Sequence, residues 1–396
     1  MELTNEILTE GKPENWEKEN VLPGKIGLTS SAFLIPIIVS DESGYERINE
    51  PVSIEVEFDV NCKNLAWKES VRIFDENFNE IPFKFVNQTF CSSGFLQKAI
   101  LFFELNVSAN STRKIQVFFH NLTKIKSKEY SNFSNLVLWL KFDEGYGNLA
   151  YDFSGNENNG ILYDANNSNN DGNTIPQWVD GKFGKALSFD GVDDYVEISH
   201  TRNLEPEDIT IIMWIYPTQW NHNPIATALL TKRVSTEDGY FIFWYNTTNT
   251  LNWDWGGNAY RWNTGYLPSL DNWSCLSFVR NSSGRMFFVN GELIAFTSNS
   301  GNNVTTGSVL RIGMDTFQDQ YWYKGIIDEI KIYNRALTEE EILSHYQQPL
   351  SIKIFPKTQI SLISFEKVEA LRNISYELLK DVLKEGYDFR IEIYEK

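Results

Sequence analysis

The chain has 396 residues, of which 42% are hydrophobic and 14% are aromatic. Its 53 acidic residues against 35 basic ones give a formal net charge of −18, which disfavours nucleic-acid partners because no excess of cations is present to neutralise phosphates. The length predicts two or three domains, and the high aromatic content favours strands over helices.

The first third of the chain predicts an extended arm and a small β-domain. Residues 1–40 are polar, are interrupted by prolines, and enter a sheet at "FLIPIIV". Residues 41–121 contain short alternating segments such as "VSIEVEFDV" and "RKIQVFF", which indicate a small β-sandwich. Residues 122–135 are polar and are interpreted as a linker.

The next segment, residues 136–348, repeats this strand pattern on a larger scale. Segments such as "ITIIMWIYP" and "GYFIFWYN" alternate with turns rich in Gly, Asn, Asp and Ser, which predicts an all-β sandwich. One helix is expected at Leu337–Tyr346, where Thr338 and Glu341 have the spacing of a capping box. Residues 349–396 predict two short amphipathic helices and a strand, "DFRIEIY", in a small α/β segment that pairs with the N-terminal arm.

Cysteines and sequons bear on the compartment. Cys62 and Cys91 fall in one strand-rich region and form either a disulfide or two buried thiols, and Cys275 has no zinc-type spacing to either. Sequons of the form N-x-S/T are about twice as frequent as chance predicts, which favours an extracellular, glycosylated chain. They lie at Asn87, Asn106, Asn110, Asn121, Asn132, Asn166, Asn246, Asn272, Asn281, Asn303 and Asn373.

The N-terminal stretch "MELTNEILTEGKPENW" has no apolar h-region, and the early apolar run Ala32–Val39 is too short to span a bilayer. The protein is therefore expected either to be cytoplasmic or to have its targeting segment outside this chain.

Several motifs resemble a known family. "LVLWLKFDEGYGNLAYDFSG", "GKALSFDGVDDYVEI", "LRIGMD" and "GIIDEIKIYNRALTEEEI" are similar, in this order, to the laminin G-like branch of the concanavalin A-like jelly-roll sandwiches. This resemblance implies a mainly β jelly roll over about Leu136–Tyr346.

Two flanking resemblances are shorter. "VRIFDENFNEIPFKFVNQTF" is similar to a small β-domain that precedes such sandwiches in secreted microbial proteins. "TEGKPENWEKENVLPGKIGL" and "EKVEALRNISYELLKDVL" are similar to paired segments of archaeal pilin-like surface proteins, in which a membrane-inserted helix precedes the first segment. That helix is absent from this chain, so the resemblance implies the ectodomain of a surface protein.

The turn in "SFDGVDDYVEI" is the candidate metal site. Asp and Gly are typical of a tight turn between strands, so the turn needs no ion. The family resemblance implies instead a structural calcium held by this turn beside the "GIIDE" strand, with Asp190, Asp194 and Asp328 as ligands. Calcium takes six to eight oxygens, which a turn and a few carboxylates can supply.

Catalysis has little support in the sequence. Retaining glycosidases of this sandwich class place their carboxylates as ExDxxE on one strand, and "IDEIKIY" lacks both flanking glutamates. No GxSxG, Walker loop or HExxH is present. We expect no enzymatic activity.

Aromatic clusters favour a binding role. "LNWDWGGNAYRWNTGY" and "QYWYKG" place many rings together, and such rings either pack in the core or offer flat surfaces for sugar rings. The candidate ligand-binding residues are Trp255, Tyr260, Arg261, Trp262 and Trp322.

The leading hypothesis is a non-catalytic extracellular adhesin or pilin-like subunit whose jelly roll binds a glycan or a surface protein. One alternative is a structural spacer of a filament or envelope that self-assembles and binds nothing, and the other is a glycoside hydrolase or lyase. We expect no nucleic-acid partner and no membrane contact other than through the absent helix.

Overall fold

The computed structural model describes residues 31–77, 79–121, 135–165, 175–221, 223–347 and 349–361. The chain divides into two compact units. Unit 1 comprises Met1–Phe133 together with Gln348–Lys396, and unit 2 comprises Ser134–Gln347. The described residues are mainly β, which confirms the predicted fold class.

Unit 1 is a sandwich of two antiparallel sheets, ordered β23-β1-β6-β3, with β24 also on β1, and β2-β5-β4. Inward-facing Ile37, Ile54, Leu101 and Val117 lie in the core between them. Numbered along the chain, the strands of unit 1 are β1 (Ser31–Ser40), β2 (Arg47–Glu57), β3 (Arg72–Phe74), β4 (Phe83–Ser92), β5 (Phe95–Val107), β6 (Thr112–His120) and, after unit 2, β23 (Ser351–Ile354) and β24 (Thr358–Ser361).

Strand β1 does not belong to a separate arm. It pairs with β6 along Ala32–Ser40 and with β23 and β24 on its other side, because its alternate residues Phe33, Ile35, Ile37 and Val39 supply one row of the core. Residues 31–40, where the arm was expected to enter a sheet, are thus a strand of unit 1 that pairs with residues of the C-terminal segment. The expected C-terminal helices, and all of the linker except Asn135, lie outside the described residues.

Cys62 and Cys91 form a disulfide that links the chain after β2 to β4, with their Cα atoms 5.1 Å apart. Cys275 is a free, buried thiol in unit 2.

Unit 2 is a sandwich of two eight-stranded antiparallel sheets. Sheet I has the order β10-β11-β22-β13-β18-β19-β20, with β7 also on β22, and sheet II has the order β17-β16-β15-β14-β21-β12-β9-β8. The strands are β7 (Leu136–Leu140), β8 (Leu149–Ala150), β9 (Gly160–Asp164), β10 (Gln177–Asp180), β11 (Lys185–Asp190), β12 (Asp194–Ile198), β13 (Ile209–Gln219), β14 (Ala226–Lys232), β15 (Tyr240–Tyr245), β16 (Thr250–Trp255), β17 (Trp262–Asn263), β18 (Ser274–Asn281), β19 (Gly284–Val289), β20 (Glu292–Thr297), β21 (Leu310–Ile312) and β22 (Lys324–Tyr333).

Alternation along the strands decides which residues enter this core. On sheet II, Val196 and Ile242 point inward, and they meet inward residues of sheet I such as Met213 and Phe278. Successive side chains of a strand point to opposite faces. The residues between the core positions therefore lie on the outer faces of the sandwich, where some are exposed and others, such as Phe241 and Phe243, are buried.

Helix α1 (Glu339–Tyr346) begins as the sequence predicts. The Thr338 hydroxyl accepts a hydrogen bond from the Glu341 amide, and the Glu341 carboxylate accepts one from the Thr338 amide. No helix among the residues that the structure describes is long and apolar enough to span a membrane.

Candidate functional site

Three partly exposed aromatic residues form a ledge on the outer face of sheet II. Tyr163 of β9 lies directly across from Tyr195 of β12, and their rings stack with centroids 5.2 Å apart. The Trp322 ring lies 6.4 Å from that of Tyr195 at an angle of 46°. Tyr163 is 37% exposed. These three residues, the aromatic ledge, offer flat apolar surface next to polar groups.

The loop 313–323, between β21 and β22, brings Trp322 to the ledge. Its anchor is Asp315, a fully buried carboxylate that accepts hydrogen bonds from Arg233 Nε at 2.9 Å and Nη2 at 2.6 Å. The Ala228 amide donates to the Tyr321 carbonyl at 2.6 Å, which holds the loop on β14.

Two residues of this loop have a backbone conformation that favours glycine. Asp319 has φ 48° and Tyr321 has φ 69°. Left-handed conformations are uncommon for residues with side chains, and they cluster at functional sites where the surrounding structure enforces them. Both residues lie just before Trp322 in the chain.

Arg311 of β21 lies against the ledge. Its guanidinium is 4.8 Å from the centroid of the Tyr195 ring, its Nε donates to Glu197 at 2.8 Å, and its Nη1 donates to Asp319 at 2.5 Å. Burial lowers the pKa of Arg311, but the hydrogen bonds to Asp319 and Glu197 outweigh it and raise the pKa above its usual value. Arg311 is thus a fixed cation.

The candidate metal turn directly precedes Tyr195. Carboxylate oxygens of Asp190, Asp193 and Asp194 all lie within 4.8 Å of one another. Asp194 accepts a hydrogen bond from the Asp190 amide at 3.0 Å, and Asp190 accepts one from the Val192 amide at 2.7 Å, so the carboxylates also shape the turn. Burial, and then the negative charge of Asp190, raises the pKa of Asp194 to about 7.

This donor set fits a hard divalent cation. Clustered carboxylates are the ligands that calcium prefers, and a cation would relieve the repulsion that raises the Asp194 pKa.

Asp328 does not lie in this cluster. Asp190 pairs with Lys324, at the start of β22, whereas Ile327 pairs with Leu187, so Asp328 lies further along the strand. It is fully buried and accepts a hydrogen bond from the Phe183 amide at 3.0 Å. Burial raises its pKa to about 8. The expectation that Asp328 joins Asp190 and Asp194 is therefore corrected, because the register separates it from them.

Trp255 also differs from the expectation. It is fully buried and stacks on Tyr240 with ring centroids 5.0 Å apart. Trp255 and Trp253 lie on the same side of β16, and that side faces the core. Trp255 therefore has no surface to offer a ligand.

The other three candidates lie at the opposite edge of sheet II. Arg261 donates to Asp254 from Nε and Nη2 at 3.0 and 2.9 Å and covers the ring of Tyr245 at 4.6 Å. Tyr260 and Trp262 are half-buried, and Trp262 packs against the core. Strand β17 lies five strand positions from β12, roughly 24 Å at the usual spacing. Tyr260, Arg261 and Trp262 are thus remote from Tyr163 and Tyr195. Tyr321, next to Trp322, does pack with Phe243 and Tyr245, over whose rings the Arg261 guanidinium lies.

Comparison with known proteins identifies the sandwich. Residues 190–343 match a laminin G family model described as the concanavalin A-like lectin/glucanases superfamily. The matched residues lie in unit 2, whose two-sheet sandwich has the concanavalin A-like fold. The match begins at the first aspartate of the candidate metal turn and ends within α1. The resemblance of the flanking segments to archaeal pilin-like proteins stays a prediction.

Solved structures of low sequence identity are similar to the chain. Domain 4 of AbnA, a GH43 extracellular arabinanase from Geobacillus stearothermophilus in complex with arabinotriose, has 21% identity and a TM-score of 0.43 over 54% of this chain and 99% of that one. The binding domain of Paraclostridial Mosquitocidal Protein 1 has 19% identity and a TM-score of 0.43 over 54% of this chain and 52% of that one. The botulinum neurotoxin serotype D binding domain has 16% identity and a TM-score of 0.39 over 54% of this chain and 51% of that one. The chain thus spans about half of each of these two toxin structures. No curated protein matches the sequence of the chain.

The sequence singled out Trp322 but not its partners in the concanavalin A-like sandwich. Tyr163, Tyr195 and Arg311 were missed, although "ILYD" and "DYVEI" each carry a tyrosine next to a core position, Leu162 in one and Val196 in the other. That alternation places each tyrosine on an outer face. Only the pairing of β9 with β12 reveals that the two rings stack.

Proposed function

We propose that unit 2 is a non-catalytic binding module that holds a glycan against the aromatic ledge. The observation that carries this proposal is the row of Tyr163, Tyr195 and Trp322, partly exposed on the outer face of sheet II. Flat aromatic rings stack on the apolar faces of sugars, and nearby hydrogen-bonding groups such as Glu197 and Asp319 fix orientation.

The chain as a whole would act outside the cell as an adhesin or a pilin-like subunit. The Cys62–Cys91 disulfide supports an oxidising compartment. The sequon asparagines that the structure describes are all at least partly exposed, as glycan attachment requires. These are Asn87, Asn106, Asn110, Asn121, Asn246, Asn272, Asn281 and Asn303, while Asn132, Asn166 and Asn373 lie outside the described residues.

The module would also hold a calcium ion at the turn of Asp190, Asp193 and Asp194. Three carboxylates supply part of the six to eight oxygens that calcium takes, and backbone carbonyls and water supply the rest. Because Asp194 precedes Tyr195, the ion would fix the β11–β12 turn beside the ledge and thereby support the binding surface.

A glycan-array screen of the purified chain, in calcium and again after chelation, tests this function. We expect binding in calcium that the Tyr195→Ala variant weakens by roughly tenfold or more, because it removes the ring on which Tyr163 stacks and beside which Trp322 lies. Phe296→Ala removes a 57% exposed ring from β20 of sheet I and serves as the matched control.

Three outcomes are informative. Loss of binding in Tyr195→Ala but not in Phe296→Ala supports the ledge. Equal loss in both variants contradicts it. If the wild-type chain binds no glycan in either condition, a structural spacer or a protein ligand is favoured instead.

A further inference from the structure

The aromatic ledge is surrounded by negative charge. Glu197 and Asp319 lie beside it, and Asp319 has 72% of its side chain exposed. Asp194 also interacts electrostatically with Asp164, which pairs with it across β9 and β12. Together with Asp190 and Asp193, the surroundings of the ledge carry six carboxyl groups against two cations, Arg311 and Lys324, the latter opposite Asp190 across β11 and β22.

The cation that lies against the Tyr195 ring is already engaged by protein acids. Arg311 donates to Glu197 and to Asp319 at 2.8 and 2.5 Å. The charge of a guanidinium bound in this way is already balanced by two carboxylates, so it attracts a ligand carboxylate or sulfate less strongly, although its planar fork is otherwise well suited to both groups.

We propose that Glu197 and Asp319 make the aromatic ledge select uncharged glycans over glycans that carry carboxylate or sulfate groups. This inference rests on the proposed glycan-binding function. The two acids act as specificity determinants in two ways: they occupy Arg311, and they place like charges against an anionic ligand. Repulsion of this kind separates partners more strongly than it changes the affinity for the right one.

A bound calcium ion would not reverse this selection. The four carboxyl groups of Asp164, Asp190, Asp193 and Asp194, if all are ionised, carry more negative charge than the two positive charges of the ion. The ion pairs of Arg311 with Glu197 and with Asp319 are unchanged. Cationic ligands are disfavoured for a different reason. The Arg311 guanidinium already lies 4.8 Å from the Tyr195 ring centroid, the position that a ligand cation would take over that ring.

The experiment compares two oligosaccharides that are identical except at one sugar, which is a neutral hexose in one and the corresponding uronic acid in the other. Affinities for both are measured on the wild-type chain, on Asp319→Asn, and on the double variant Glu197→Gln with Asp319→Asn. Glu292→Gln, which removes one exposed charge from β20 of sheet I, is the control. Thermal unfolding of each variant verifies that it is folded, and Asp319→Asn alters only a highly exposed side chain.

We expect the wild-type chain and Glu292→Gln to prefer the neutral ligand by at least roughly tenfold. Asp319→Asn should narrow this preference, and the double variant should abolish or reverse it, with a stronger dependence on salt because Arg311 is freed. Equal affinity of the wild-type chain for both ligands, or an unchanged ratio in both variants, would overturn the inference and leave the glycan-binding function standing. A wild-type chain that binds neither ligand overturns the proposed function and this inference with it.

Discussion

The carboxyl groups of Asp190, Asp193 and Asp194 repel one another at the candidate site. Burial and mutual repulsion raise the pKa of Asp194 to about 7, so this residue holds a proton far above the ordinary range of an aspartate. For an acid whose pKa is raised on folding, stability falls as pH rises between the unfolded value and the folded one. A cation in the turn would replace that proton.

We therefore expect calcium to raise the melting temperature of the wild-type chain at pH 8. The rise should be roughly 5 to 10 °C when free calcium exceeds Kd about 100-fold. Asp194→Asn should lose this response and, in chelator, should be at least as stable as the wild-type chain, because the repulsion is gone. Asp271→Asn is the control, since Asp271 is exposed and its φ of 55° suits asparagine. A calcium response that survives in Asp194→Asn would place the ion elsewhere.

The sequence predicts features that depend on residues close together in the chain. It does not predict which side of a strand faces the core. Thr338 and Glu341 form the capping box that their spacing predicts, because both partners lie within one helical turn. Trp255 and Tyr195 each lie in an alternating strand, and the sequence does not state which side of the strand faces the core. The strand order decides which side faces the core. It buries Trp255 and places Tyr195 on the outer face.

At the scale of elements, the loop 313–323 connects the core of unit 2 to the ledge. Arg233 and Asp315 are both almost fully buried, and they join β14 to this loop. A buried ion pair costs desolvation to form, but removal of one partner leaves an unpaired buried charge. The pair therefore fixes the position of the loop and does not act mainly as a source of overall stability.

Asp315→Ala should destabilise unit 2 by about 3 to 5 kcal/mol, because it leaves Arg233 unpaired. It should also weaken ligand binding at the ledge, since Trp322 loses the support of its loop. Thermal unfolding and ligand titration measure the two effects, and amide exchange over residues 313–323 should quicken. Glu237→Ala, at an exposed carboxylate, is the control. A destabilised variant that retains full affinity would contradict the role of this loop.

Strand pairing also separates what a local pattern can predict at this scale from what it cannot. The hairpin between β19 and β20 turns at Asn290 and Gly291, two adjacent residues whose positive φ values suit the turn. The pairing of β9 with β12, and that of β1 with β23, joins residues that are far apart in the sequence. No local pattern encodes such contacts, so the ledge and the extent of unit 1 emerge only from the fold.

At the scale of the whole molecule, the two units carry buried groups whose titration has opposite consequences. In unit 1, burial and the charge of Arg72 lower the pKa of His120 to about 4. In unit 2, burial raises the pKa of Asp328 to about 8 and that of Asp194 to about 7. In the folded chain the histidine is therefore neutral above about pH 4, and Asp194 and Asp328 retain their protons up to about pH 7 and pH 8.

The pKa of His120 in unit 1 is lowered and the pKa values of Asp194 and Asp328 in unit 2 are raised, so pH affects the stability of the two units in opposite directions. For His120 the unfolded state binds more protons between pH 6.5 and about 4, so unit 1 loses stability as pH falls through this range, by roughly 3 kcal/mol. For Asp194 and Asp328 the folded state binds more protons from about pH 4 upward, so unit 2 loses stability as pH rises to about 7 and 8. Acidification should therefore weaken unit 1 and strengthen unit 2.

Hydrogen exchange read by mass spectrometry at pH 5 and pH 8, in chelator and corrected for intrinsic rates, resolves the two units in one sample. We expect peptides of β6 to be less protected at pH 5 than at pH 8, and peptides of β12 and β22 to be more protected. His120→Gln should remove the acid sensitivity of unit 1 alone, and Asp328→Asn should reduce the alkaline sensitivity of unit 2 alone. Parallel changes in both units would mean that they unfold as one cooperative body, in which case the steeper of the two titrations governs the whole chain.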